Sequence, residues 1–94
     1  SKHKITFKID EFEIDCNHSQ NYASLKLKTK DKKGIVSTIM QILDDFEIRV
    51  EDVKISTQKN IARDLFIISK ENGFCSKLDK ILKSLCEWKE KYYL

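Results

Sequence analysis

The residues best placed to do chemistry stand together at Asp31-Lys32-Lys33-Gly34-Ile35, where a polar turn opens an apolar helical pattern. Glycine lets the backbone turn sharply and come close to another group. The helix-opening amides beside it suit a carboxylate, and the Asp31 carboxylate suits an ammonium through a charge-assisted bond. Together these groups would hold the two charges of an amino acid. The same parts also serve as plain helix capping, since an acidic side chain accepts hydrogen bonds from first-turn amides. On residue type alone both readings stand.

No catalytic set is visible elsewhere. Serines and threonines are scattered, and His18, beside Ser19, lies in a polar loop. Gly34 and Gly73 are the only glycines, so there is no Gly-rich phosphate loop. The three cysteines are Cys16, Cys75 and Cys86. On a shared helix Cys75 and Cys86 would be ~16 Å apart at the α-helical rise, beyond disulfide reach. Cys16-Asn17-His18 has no second ligand pair, so no metal site is expected. The cysteines therefore read as small structural or incidental residues of a reducing, cytoplasmic compartment, and no cofactor is expected.

The elements that must position the Asp31 turn come from a 94-residue chain, enough for one domain with a single core. It is 40% hydrophobic and 35% charged, a soluble composition with no apolar run long enough to span a membrane. It starts Ser1-Lys2-His3-Lys4 without Met and without a leader-like apolar stretch, so a piece of a longer protein is expected. The net charge of +3 is nearly all lysine on the basic side, Arg49 and Arg63 being the only arginines. Lys26, Lys28 and Lys30 alternate and so share one strand face, a solvated one. Without arginine forks or interleaved aromatics this stripe predicts no nucleic-acid partner. An RNA-binding ferredoxin-like domain would need exposed side chains on the central strands, for which Leu25, Leu27 and Phe66 are the candidates.

Alternation marks strands at Ile5 to Ile9 and Tyr22 to Thr29, with a polar loop from Asp15 to Asn21 between them. Ile35, Ile39, Ile42, Leu43 and Phe46 form one stripe of a helix from Ile35 to Asp45. A third strand is predicted from Ile48 to Thr57, where Val53 and Ile55 share a face with Val50 only across a bulge at Glu51-Asp52. A fourth runs from Ala62 to Ser69. It is apolar on both faces and so expected to be central and covered on both sides. A second helix from Ser76 to Lys89 carries Leu78, Ile81, Leu82, Leu85 and Trp88. From Tyr22 the order is β-α-β-β-α, an α+β ferredoxin-like unit lacking its last strand. The expected architecture is an antiparallel four-stranded sheet with two helices on one face. Ile5 to Ile9 is expected to fold back and fill the vacant edge. The chain thus divides into an N-terminal strand and loop, 1–21, and a domain, 22–94.

From Leu25 to Gly73 the sequence resembles an ACT domain. The matching pieces are Thr29-Lys30-Asp31-Lys32-Lys33-Gly34-Ile35, Ile48-Arg49-Val50, Lys54-Ile55-Ser56-Thr57, Asp64-Leu65-Phe66-Ile67-Ile68 and Asn72-Gly73. The last two are most similar to the C-terminal ACT domain of bacterial PII uridylyltransferase/uridylyl-removing enzymes. The family's pattern has proline at Lys33, glycine at Glu47 and asparagine at Arg49. The resemblance implies a regulatory module that binds an amino acid, glutamine first among them, near Asp31, Lys33, Gly34, Ile35, Ile48 and Arg49. It further implies partners in a second copy or a sister ACT domain, and in the catalytic domains of a parent chain, with no enzymatic activity of the module itself. A degenerate module that serves only in dimerisation or interdomain packing is the alternative. Leu65 and Ile67, on the face away from the helices, would then mark the interface.

Overall fold

A computed structural model describes residues 9–30 and 34–84 of the chain. Alternation of apolar and polar side chains builds four antiparallel strands into one sheet. They are β1 (Ile9–Asp15), β2 (Tyr22–Lys30), β3 (Val50–Gln58) and β4 (Ile61–Ser69), in the order β1-β2-β4-β3. Helix α1 (Ile35–Asp45) joins β2 to β3, and a 3-10 turn at Cys75–Lys77 leads into a second helix, α2, over 78–84. Beyond that point Leu85, Cys86 and Trp88 lie outside the described residues. This is the ferredoxin-like arrangement expected, with an N-terminal strand in place of the last one.

The described edge strand is Ile9–Asp15, which shares only Ile9 with the expected segment; Ile5 to Lys8 lie outside the described residues. Two physical reasons favour the later segment. Hairpin connections are short, and a strand ending at Ile9 would leave a loop roughly twice as long as the one from Cys16 to Asn21. The register also puts Phe12 opposite Leu27 and Ile14 opposite Leu25 on one face, while Glu13 meets Lys26 on the other. Apolar pairs and opposite charges across strands each stabilise a ladder.

The core lies between the sheet and the helices. Leu25 and Leu27 of β2, Ile39 and Leu43 of α1, Phe66 and Ile68 of β4, Phe74 and Ile81 are all buried. Four of the five α1 stripe residues are buried, and Phe46 is half-buried. The bulge appears where the alternation demanded it. The register shifts between Val50 and Asp52, which brings Val53 opposite Phe66 on the core face. In the tight β3–β4 turn Lys59 and Asn60 both have positive φ, 53° and 63°. Two successive left-handed residues match the right-handed twist of a hairpin.

Helix α1 ends in a Schellman motif. The Ile48 N–H donates to the Leu43 carbonyl (2.9 Å) and the Glu47 N–H to that of Asp44 (2.8 Å). Ile48 is buried with Leu43 as the motif's apolar contact. Glu47 holds the left-handed position, φ 59°, which glycine occupies at lower cost. Replacing Glu47 by glycine is expected to raise stability by about 0.5–1 kcal/mol. The left-handed penalty of roughly 1–2 kcal/mol is removed, and glycine's larger unfolded-state entropy offsets part of the gain. The urea midpoint measures it, and a decrease in that midpoint refutes the assignment.

The cysteine reading needs correction. Cys16 and Cys75 form a disulfide, with Cα atoms 6.2 Å apart. Both lie at the end of the sheet where β1 stops and the chain leaves β4. The pairing links residues 59 apart in sequence, so no local spacing shows it. A bonded pair does not by itself mark a reducing compartment.

Candidate functional site

The Asp31 turn divides at the boundary of the described residues. Asp31 and Lys33 lie outside them, and Gly34 and Ile35 inside. Gly34 is the N-cap of α1 at φ 96°, a conformation that favours a residue without a β-carbon. Its carbonyl accepts the Thr38 N–H (3.0 Å) and the Ser37 hydroxyl (3.1 Å). As glycine it has no side chain of its own to cap the first-turn amides. Ile35 itself is buried in the core, so it offers a ligand its backbone amide rather than its side chain.

Ile48 and Arg49 lie past the other end of α1. Eleven residues of helix separate the two halves of the expected site, or roughly 16 Å at the α-helical rise. One chain does not bring them together. Ile48 is buried, so it too offers only its backbone. The Arg49 guanidinium lies 3.4 Å from the Glu51 carboxylate, both side chains well exposed, and the Arg49 carbonyl accepts the Ser69 N–H at 2.9 Å. The surroundings of this end are acidic: Asp44, Asp45 and Glu47 follow one another closely at the negative pole of the helix. Lys77 already places an ammonium there, its Nζ 3.4 Å from the Phe46 carbonyl. The two ends of α1 therefore suit opposite charges.

Depressions in the described surface include three that bear on these residues. An open groove of about 640 Å³ runs along α1 from Gly34 past Met40 to Asp44. A polar cavity of about 280 Å³ is lined by Asn21, Tyr22, Arg49, Ser69 and Lys70. The third, about 550 Å³, lies on the sheet face away from the helices among Glu13, Lys26, Lys28, Arg63 and Leu65. Leu25, Leu27 and Phe66, the candidates for RNA contact, are all buried on the helix side of the sheet. β4 is central, but Leu65 and Ile67 are half-buried, so its second face is not fully covered within one chain. Among the described residues no group of histidine, cysteine and acidic side chains could hold a metal ion, and no helix is long and apolar enough to cross a membrane.

The family model for the ACR9-like, ACT-like domain matches residues 11–87. The chain belongs to the ACT-like domain family. The ACT-like match begins within β1, so the substitute edge strand is covered by it as well as the β-α-β-β-α unit. No curated protein and no solved structure matched the chain. ACT-like domains are generally regulatory and ligand-binding. In this ACT-like domain two of the three departures from the family's pattern, Glu47 and Arg49, lie within the described residues. Glu47 occupies the left-handed position where the family's glycine would be unstrained, and Arg49 is held by a neighbouring acid. Sequence reasoning missed the separation of the two half-sites, although the helix length contained it, and missed the Arg49–Glu51 pair.

Proposed function

We propose that this ACT-like domain senses an amino acid, glutamine being the first candidate, at a site built by two copies. The observation that carries the reading is the pair of complementary poles on α1. First-turn amides beside Gly34 suit the carboxylate, and the acid-rich end near Ile48 suits the ammonium. A free amino acid is too short to reach both in one chain. A two-fold axis across the middle of α1 would set Gly34 and Ile35 of one copy beside Ile48 and Arg49 of the other, with Asp31 and Lys33 adjoining. Met40, midway along α1, and Ile55, on edge strand β3, are the large hydrophobic side chains left exposed among the described residues, which suits a seam. The site then works as a regulator only if the ligand binds two conformations of a larger protein unequally. A cytoplasmic PII uridylyltransferase/uridylyl-removing enzyme is the parent that the sequence resemblance supports, with its two opposed activities as the output.

The test is calorimetric titration of glutamine into the chain, with its dimer first verified by sedimentation. Heat is expected from the dimer and is expected to vanish for Gly34→Ala, whose β-carbon would crowd the approach. Ile55→Lys is expected to weaken the dimer at least tenfold, about 1.4 kcal/mol, and to weaken glutamine binding with it. No heat at millimolar glutamine in a verified dimer would instead favour a packing-only module. The exposed β3 edge and the Arg49–Glu51 pair support that second reading.

A further inference from the structure

We propose that Cys16–Cys75 is a thiol–disulfide exchange site for a dithiol reductase, and that its reduction releases the β1 edge strand from the sheet. Both cysteines are half-buried at the margin of the core rather than enclosed within it. Their positions give the bond its effect. Cys16 directly follows β1, and Cys75 opens the turn before α2, so the bond ties the added N-terminal strand to the segment between β4 and α2.

Among the described residues that strand is held by its ladder to β2 and by two side chains at the margin of the core. It lies at the edge of the sheet, with β2 as its sole neighbour in the sheet order. Its described apolar side chains, Phe12 and Ile14, are half-buried, whereas Leu25, Leu27, Phe66 and Ile68 on the two central strands are buried. The ladder to β2 is interrupted between Ile9 and Glu11. The remaining three strands and α1 have a core of their own, from Leu25 and Phe66 to Ile39 and Leu43. The loop after Cys16 would move with the strand. Its Ser19 carbonyl accepts the Lys70 ammonium at 2.6 Å, and its Asn21 lines the cavity that Arg49 shares. The bond thus joins a weakly held element to a well-held one.

The exchange is balanced by the reductase's own two thiols. One reductase thiolate attacks a sulfur of the pair, forming a mixed disulfide and displacing the other cysteine as a thiolate, which takes up a proton. The second reductase thiol then attacks the mixed disulfide. Cys16 and Cys75 are left as two thiols and the reductase with one disulfide, two electrons having passed. This proposal does not depend on amino-acid binding.

The whole chain, prepared without reductant, is compared with the same protein after dithiothreitol, which stands in for the reductase. Alkylation and peptide mapping follow Cys16 and Cys75. In the reduced protein, cross-strand contacts between Phe12 and Leu27 and between Ile14 and Leu25 are expected to disappear from nuclear Overhauser spectra. Those between Leu25 and Phe66 are expected to persist. Cys16→Ser should give the same loss without any reductant. The proposal is overturned if β1–β2 contacts survive reduction, or if β2–β4 contacts vanish with them, which would make the bond a staple for the whole fold. It is equally overturned if dithiothreitol fails to open the bond in the folded chain, or if both cysteines alkylate before any reductant is added.

Discussion

Phe66→Ala lowers the unfolding free energy of this chain by about 3–5 kcal/mol, the usual range for emptying a buried phenylalanine site. Phe66 is 0% exposed and sits on the central strand β4, opposite Leu25 on one side and Val53 on the other. It also faces the helices through the core cluster with Ile39 and Leu43. No neighbour can collapse into the space without pulling a strand or helix out of register. A small domain has about 5–15 kcal/mol to lose, so the variant should be near the limit of folding. Urea unfolding followed by circular dichroism measures it. A loss under about 1 kcal/mol would mean that Phe66 is not where the sheet and helices meet.

The second large effect concerns β1. The paired change Phe12→Ala and Ile14→Ala is expected to cost about 2–4 kcal/mol, less per residue than at Phe66 because both side chains are only half-buried. These two residues are what the edge strand contributes to the core, opposite Leu27 and Leu25. A single change at Glu13, on the exposed face of the same strand, should stay within about 0.5 kcal/mol. Equal costs at buried-face and exposed-face positions would show that the strand is not seated in this register.

These two predictions also mark where sequence alone sufficed and where it did not. The α1 stripe, the central place of β4 and the bulge near Glu51 all follow from local periodicity, because a helix face and a pleat repeat within a few residues. The need for a substitute edge strand followed from counting elements. Which segment fills it did not, since Ile5 to Ile9 and Phe12 to Ile14 both alternate, and only pairing with β2 separates them. Phe74 shows the same limit. It follows Asn72 and Gly73, both at positive φ, and looks like part of a turn, yet it is fully buried. The Cys16–Cys75 bond depends on that fold-back and was invisible for the same reason. At the candidate site, Gly34 was legible as a sharp turn, and it is the left-handed N-cap of α1. The buried side chains of Ile35 and Ile48 were also legible as apolar. What periodicity does not state is that a ligand can then meet only their backbone, at opposite ends of one helix.

The most direct test of the two-copy sensing site is an amide chemical-shift titration of the dimeric chain with glutamine. Saturable shifts are expected in two separate clusters, at Gly34 to Ser37 and at Glu47 to Val50, with a common dissociation constant and both lost in Gly34→Ala. Shifts confined to one end of α1, shifts centred on Lys26 and Arg63 across the sheet, or no shifts at millimolar glutamine would contradict it.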